Sequence, residues 1–167
     1  MSSPDNKYRV DFEQSIERYS DMVYRIAVTI TKNEEDAKDA FQETFLRLVR
    51  NHDKIVSEEH LKAWLIRVVS NCAKTTVSSP WNRNTQGFEK DKEACEEAYE
   101  PEENHLLEEL QKMPRKYSVV LYLYYYEGYS IKEIGKLLEK SENTVKTLMS
   151  RGRELLRKKL EGGEKHA

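Results

Sequence analysis

Cysteine is almost absent from this chain: Cys72 and Cys95 are the only two in 167 residues. Two cysteines make no disulfide framework and suit a reducing interior. Glycine and proline are also scarce, at six and four, and no glycine-rich phosphate loop or serine elbow occurs. No apolar run approaches the roughly 20 residues of a membrane helix, and no charged-then-apolar leader opens the chain. A cytoplasmic protein without membrane contact of its own is therefore expected. The four histidines, His52, His60, His105 and His166, are scattered, with no metal-ligand spacing near either cysteine. No acidic pair is embedded in apolar residues that would shift its pKa. The expectation is a protein that is not an enzyme, with no cofactor and no metal.

What the chain has in excess is charge, at 35% of residues against roughly 25% in an average globular protein. A mean hydropathy of −0.85 leans toward disorder. Ten Tyr, four Phe and two Trp argue for packed cores instead. The net charge of −2 conceals a segregation. His60 to Phe88 contains no acid and four bases, Lys62, Arg67, Lys74 and Arg83. Glu89 to Glu109 carries ten acids against Lys90 and Lys92, a net of −8. Asn143 to Leu160 sets six bases against Glu154 alone, a net of +5. Two basic segments separated by an acidic one suggest two contacts with one polyanion.

The periodicity is helical throughout. Phe12, Ile16, Tyr19, Val23, Ile26 and Ile30 fall on one face of a long amphipathic helix. Asn33, followed by Glu34, Glu35 and Asp36, caps a second helix running to about Arg50. Its expected buried stripe is Ala37, Ala40, Phe41, Thr44, Phe45 and Leu48. The opposite stripe, Asp39, Gln42, Glu43, Leu46 and Arg50, centres an exposed leucine in charge, as protein contacts tend to do. Ser57 opens a third helix with Leu61, Trp64, Leu65, Val68 and Cys72 inward, and Ser78-Ser79-Pro80 stops it. Arg67, Ser70, Asn71, Lys74 and Ser78 are expected on its other side. An acid-free surface of amides and hydroxyls suits a single nucleic-acid strand.

Residues 81–99 show no sustained period and read as an acidic linker. Pro101 suits the first position of the next helix, Met113-Pro114 breaks it, and Gly128 ends the one that follows. Ser130-Ile131-Lys132-Glu133 is a capping box before a short helix. Ser141 caps a terminal helix with Val145, Met149, Gly152 and Leu156 inward, and Gly162-Gly163 is expected to end it. A helix, a short turn and a second helix, with Gly135 as the small residue at the crossing, is the grammar of a DNA reader. Lys146, Ser150, Arg153 and Arg157, with Thr147 and Arg151 beside them, would face the groove.

Gly128-Tyr129-Ser130-Ile131-Lys132-Glu133-Ile134-Gly135, then Ser141 to Thr147 and Ser150 to Leu156, resembles the promoter-reading C-terminal domain of sigma-70 family factors. The likeness is to the small extracytoplasmic function (ECF, group IV) subfamily. Asp36 to Leu46 resembles the segment by which domain 2 grips core RNA polymerase, and Ala63 to Asn71 resembles its helix that reads the −10 element. The resemblance runs from about Asp11 to Leu160, in order. It implies an all-α chain with two small helical domains joined by an acidic linker, the C-terminal one a helix-turn-helix four-helix domain. Domain 2 would occupy 8–79, the linker 80–100 and domain 4 101–161. The implied function is that of an ECF-type sigma factor, directing core polymerase to specific promoters and aiding their opening. The alternative is an autonomous helix-turn-helix transcriptional regulator.

By the same resemblance, Asp36, Asp39, Gln42, Glu43 and Leu46 would bind polymerase. Arg67, Ser70, Asn71, Lys74 and Ser78 would hold −10 DNA. Ser141, Thr144, Lys146, Thr147, Ser150, Arg151 and Arg153 would meet −35 DNA. Core RNA polymerase, promoter DNA and an anti-sigma factor are the implied partners. The chain departs from the family pattern at Thr75, usually acidic, at Ser78, usually basic, and at Leu148, where arginine is common. Glu139 and Lys140 stand where relatives carry a turn glycine and an apolar residue, and a left-handed Glu139 would cost about 1 kcal/mol.

Overall fold

The computed structural model describes residues 11–78 and 101–165. Among the described residues every regular element is helical. α1 (Phe12–Thr31), α2 (Glu34–Asn51) and α3 (Glu58–Ser78) form the first half, with a 3₁₀ turn at His52–Lys54. α4 (Pro101–Lys112), α5 (Arg115–Tyr125), α6 (Ile131–Leu138) and α7 (Glu142–Lys165) form the second. The expected linker, 80–100, lies outside the described residues.

Helix starts follow the capping chemistry. The Asn33 side chain accepts from the Asp36 amide at 3.0 Å, and Ser57 Oγ accepts from the His60 amide at 3.0 Å. Ser130 and Glu133 exchange both bonds of the capping box at 3.1 Å. Ser141 Oγ accepts from the Thr144 amide at 3.1 Å. Each bond satisfies an amide that the helix itself leaves without a partner.

α1, α2 and α3 pack mutually around Val23, Ile26, Ile30, Ala40, Leu48, Leu61 and Leu65, all buried. The inward stripe of α1 differs from expectation at its start. Ile16 is 41% exposed, whereas Ser15 is buried. The buried line there runs Ser15, Tyr19, Met22, Val23 and Ile26, with Ser15 in the place expected for Ile16.

In the second half α7 packs on α5 and α6. A Cβ at Gly152 would sit 3.0 Å from Leu121 Cδ1 and 3.2 Å from Tyr117 Cβ, so glycine sets how closely α7 crosses α5. The expected stop at Gly162-Gly163 does not occur, since α7 runs on to Lys165. Each glycine costs a helix only about 1 kcal/mol; Gly162 takes no left-handed conformation that would cap it.

The two halves are not separate. α5 lies against α1, and α6 against α3. The buried side chains of both halves form one continuous core. Lys32, left-handed at the C-cap of α1, donates through Nζ to the Met113 carbonyl at the end of α4. A cation beside free helix-end carbonyls is favourable there.

Candidate nucleic-acid and protein interfaces

Rotation of α7 is fixed by Val145, Met149, Gly152 and Leu156, all buried. Lys146, Thr147, Ser150, Arg151, Arg153 and Arg157 are consequently exposed. The turn that aims the helix rests on two backbone features. Glu139 is left-handed, at φ 57° and ψ 45°, and the Lys140 amide donates to the Gly135 carbonyl at 2.8 Å. A Cβ at Gly135 would lie 2.8 Å from the Lys140 carbonyl oxygen. Glycine is thus required by the backbone of the turn, more than by the crossing helix.

Several of the expected −35 residues already have local partners. The Ser141 and Thr144 hydroxyls lie 2.8 Å apart within the cap. Lys146 Nζ is 3.9 Å from the Glu142 carboxylate, with both side chains largely in solvent. So open a pair is worth little and exchanges readily for a phosphate or base edge. Arg153 is held differently. Its Nε donates to the Tyr125 hydroxyl at 3.1 Å, and its guanidinium lies 5.2 Å from the Tyr124 ring centre and 5.9 Å from that of Tyr125. Arg157 donates to Glu154 at 2.8 Å and holds that carboxyl below its usual range. An open groove of about 550 Å³, lined by Ile131, Lys146, Ser150, Arg153 and Arg157, runs beside this face. Leu148 is half-buried against the core.

On α3, Arg67 and Asn71 are exposed and Lys74 is half-buried. Ser70, expected on the open side, is 1% exposed, and its Oγ has no hydrogen-bond partner among the described residues. Ser78 is the last residue of the helix. Burial, and then the nearby Lys140 ammonium, push Lys74 below the ordinary lysine range, with Glu139 opposing. Trp64 packs against the core.

The α2 face keeps the expected polarity. Ala37, Ala40, Thr44 and Leu48 are buried; Asp39, Gln42, Leu46 and Arg50 are exposed, and Asp36 and Glu43 are intermediate. Glu43 accepts from Arg47 Nε at 2.9 Å. Leu46 is 51% exposed, and Val49, one turn further, is 57% exposed. Sequence reasoning missed Val49, although its i+3 spacing from Leu46 places the two on one face.

The chain is similar to known proteins over most of its length. The family model for Sigma-70 region 2 matches residues 15–82, and that for Sigma-70, region 4 matches residues 104–156. The chain is 28% identical over 165 residues to the ECF RNA polymerase sigma factor SigW of Bacillus subtilis, covering 89% of this chain and 88% of that protein. It is 26% identical over 139 residues to the RNA polymerase sigma factor SigV of the same organism, covering 80% and 81%. Among solved structures, the sigma factor RpoE in complex with the anti-sigma factor NepR, from Bartonella quintana, superposes with a TM-score of 0.69 at 18% identity. That superposition covers 90% of this chain and 97% of the other. CnrH in complex with the cytosolic domain of CnrY gives 0.61 at 20% identity, covering 90% and 88%. The structural likenesses are of fold.

Proposed function

The chain belongs to the sigma-70 family of RNA polymerase sigma factors, in its ECF subfamily, and from that premise we propose how its surfaces divide the work. The first half, 8–79, is domain 2 and docks on core RNA polymerase through the outward face of α2. Leu46 and Val49 are the apolar anchors, and Asp36, Asp39, Gln42 and Glu43 are the polar rim. An apolar centre ringed by polar groups excludes water from the contact that matters most. The exposed side of α3, with Arg67, Asn71 and Lys74, holds the separated −10 strand, Ser70 and Ser78 lying on the same helix. The second half, 101–161, is domain 4 and places the start of α7 in the major groove of −35 DNA.

The observation that carries this reading is the pairing of two outward faces on one chain: an apolar-centred one on α2 and a cationic one on α7. Neither contains catalytic geometry, and the protein acts as a non-enzymatic, cytoplasmic subunit of polymerase. Among the described residues no helix is long and apolar enough to cross a membrane. An anti-sigma factor is a further partner, as NepR is of RpoE in the Bartonella quintana complex. An autonomous regulator would leave the α2 face and the region 2 match without a use. Co-sedimentation with core polymerase tests the reading: the wild-type chain should bind core, and binding to duplex DNA alone without binding core would overturn it.

A further inference from the structure

Lys146, Arg153 and Arg157 are the cations that line the groove beside α7, and they are held in two different ways. Lys146 pairs with Glu142, and Arg157 with Glu154 and Glu161, all on α7 itself and all half or more exposed. Such pairs along one helix are loose, and each carboxylate offsets part of the charge it holds. Arg153 makes no ion pair among the described residues, and its anchor stands on another helix. Nε donates to the Tyr125 hydroxyl at 3.1 Å, and the guanidinium lies within cation–π range of the Tyr124 and Tyr125 rings. Those two rings meet edge to face, their centres 5.1 Å apart at 83°. The anchor follows from the packing of the helices. Gly152 lets α7 close on Leu121 of α5, so the next residue, Arg153, reaches Tyr125 one turn further along α5.

A neutral anchor has two consequences that a carboxylate would not. The positive charge stays whole, and one N–H of the guanidinium's five is used, leaving the two terminal nitrogens as a fork for an anion. Tyr125 is itself 48% exposed, so the pair stands at the surface. Seven residues separate Arg153 from Lys146, about 10.5 Å of helix rise, and the major groove is about 12 Å wide. With Lys146 over base edges, Arg153 therefore falls near the phosphates that border the groove. We propose that Tyr125 is a positioning residue of the duplex-binding face: its hydroxyl and the paired rings preset Arg153 for one bordering phosphate and so fix the register of α7 on DNA. The proposal rests on the reading of α7 as the duplex-binding helix. It goes beyond that reading in assigning a role to a residue of α5, outside the helix-turn-helix. Ordering a free arginine on binding costs roughly two- to tenfold in affinity, and Arg153 is ordered beforehand. Phosphate contacts set register and orientation, which a swinging side chain cannot do.

Two readouts on the full chain test it. Nitrogen-15 relaxation of the arginine Nε–Hε groups reads the holding without DNA. Arg153 should be ordered in the wild type and, in Tyr125→Phe, as mobile as the exposed Arg151. Tyr125→Phe keeps both rings, so its thermal melt should match the wild type. Equal mobility of Arg153 in the two proteins would overturn the proposal. The second readout is anisotropy with a fluorescein-labelled mixed-sequence duplex, titrated from about 50 to 200 mM salt; phosphate contact needs no preferred sequence. Tyr125→Phe should weaken binding by roughly two- to tenfold at an unchanged salt slope, because the charge remains. Arg153→Ala should weaken it and lower the slope by about one. Tyr125→Phe should cost nothing more when added to Arg153→Ala, and its full factor when added to Arg151→Ala. A further loss on the Arg153→Ala background would mean that Tyr125 meets DNA itself, and would overturn the positioning role. Undiminished binding by Tyr125→Phe would overturn it too while leaving the reading of α7 intact. Absence of salt-dependent duplex binding, or binding untouched by both Arg151→Ala and Arg153→Ala, would instead bring down that reading and the proposal with it.

Discussion

Adding one methyl group at Gly135 would set a Cβ 2.8 Å from the Lys140 carbonyl oxygen, and the neighbour is backbone that cannot rotate away. Gly135→Ala should therefore destabilise the protein by about 1–3 kcal/mol, the usual cost of overpacking, as measured by urea unfolding. Four residues on, Glu139 takes the left-handed conformation at φ 57° without glycine's freedom. Glu139→Gly should raise stability by about 1 kcal/mol in the same assay. The resemblance pointed to this conformation, because relatives carry a turn glycine where Glu139 stands. At the proposed DNA face, Lys146 is paired, among the described residues, with an exposed carboxylate at 3.9 Å, which it can exchange for a base edge. Lys146→Ala should lower transcription mainly from promoters with preferred −35 bases, by the roughly 1–3 kcal/mol that a good base contact supplies. Arg151→Ala should weaken all promoters alike and flatten the salt dependence. Equal losses for Lys146→Ala on matched and mismatched promoters would reassign the lysine to phosphate contact. Arg153 carries a role that charge patterning could not show, because its guanidinium is packed on Tyr124 and Tyr125.

Helices begin where their caps say they do. Asn33, Ser57, Ser130 and Ser141 each accept the amide bond their sequence context implies, since capping is local and needs no knowledge of the rest of the fold. Helix ends were less legible. The stop at Gly162-Gly163 failed because glycine weakens a helix without terminating it unless the chain also turns left-handed there. Burial of α2 was read almost residue by residue, since an amphipathic helix on a three-helix core shows its period directly. On that helix, replacing Gln42, Glu43 and Leu46 together with alanine should weaken core binding while moving stability by no more than about 0.5 kcal/mol, the usual range for outward-facing side chains. Adding Val49→Ala should weaken it further. Pull-down with core polymerase beside a thermal melt checks both halves of the prediction, and unaltered affinity would remove this face from the polymerase contact.

Contact between the two halves is the feature of the whole molecule that sequence hid. Hydrophobic period finds interfaces made of apolar stripes, and the α3 stripe that meets α6 is Lys62, Ile66, Ser70 and Lys74, which reads as a solvated face. Ser70 was accordingly expected in the open and is buried. The same contact shapes the alkaline limb of stability. Burial, followed by the Glu127 and Glu133 carboxylates, pushes the Tyr129 phenol up to about 12, and burial with Glu127 pushes Tyr122 further in the same direction. A raised phenol leaves stability whole below its unfolded value near 10 and erodes it as pH climbs toward the folded value. Unfolding free energy should thus fall between pH 10 and 12, and Tyr129→Phe should make that fall shallower in urea titrations at pH 9 and 11. Above all, the chain is proposed to give core polymerase its promoter choice through two surfaces at once. Run-off transcription with purified core polymerase and a genomic fragment pool measures that directly. Discrete transcripts should appear when the chain is added and should disappear when either the α2 face or Lys146 and Arg151 together are replaced. A pool transcribed no differently with the chain than without it would contradict the account.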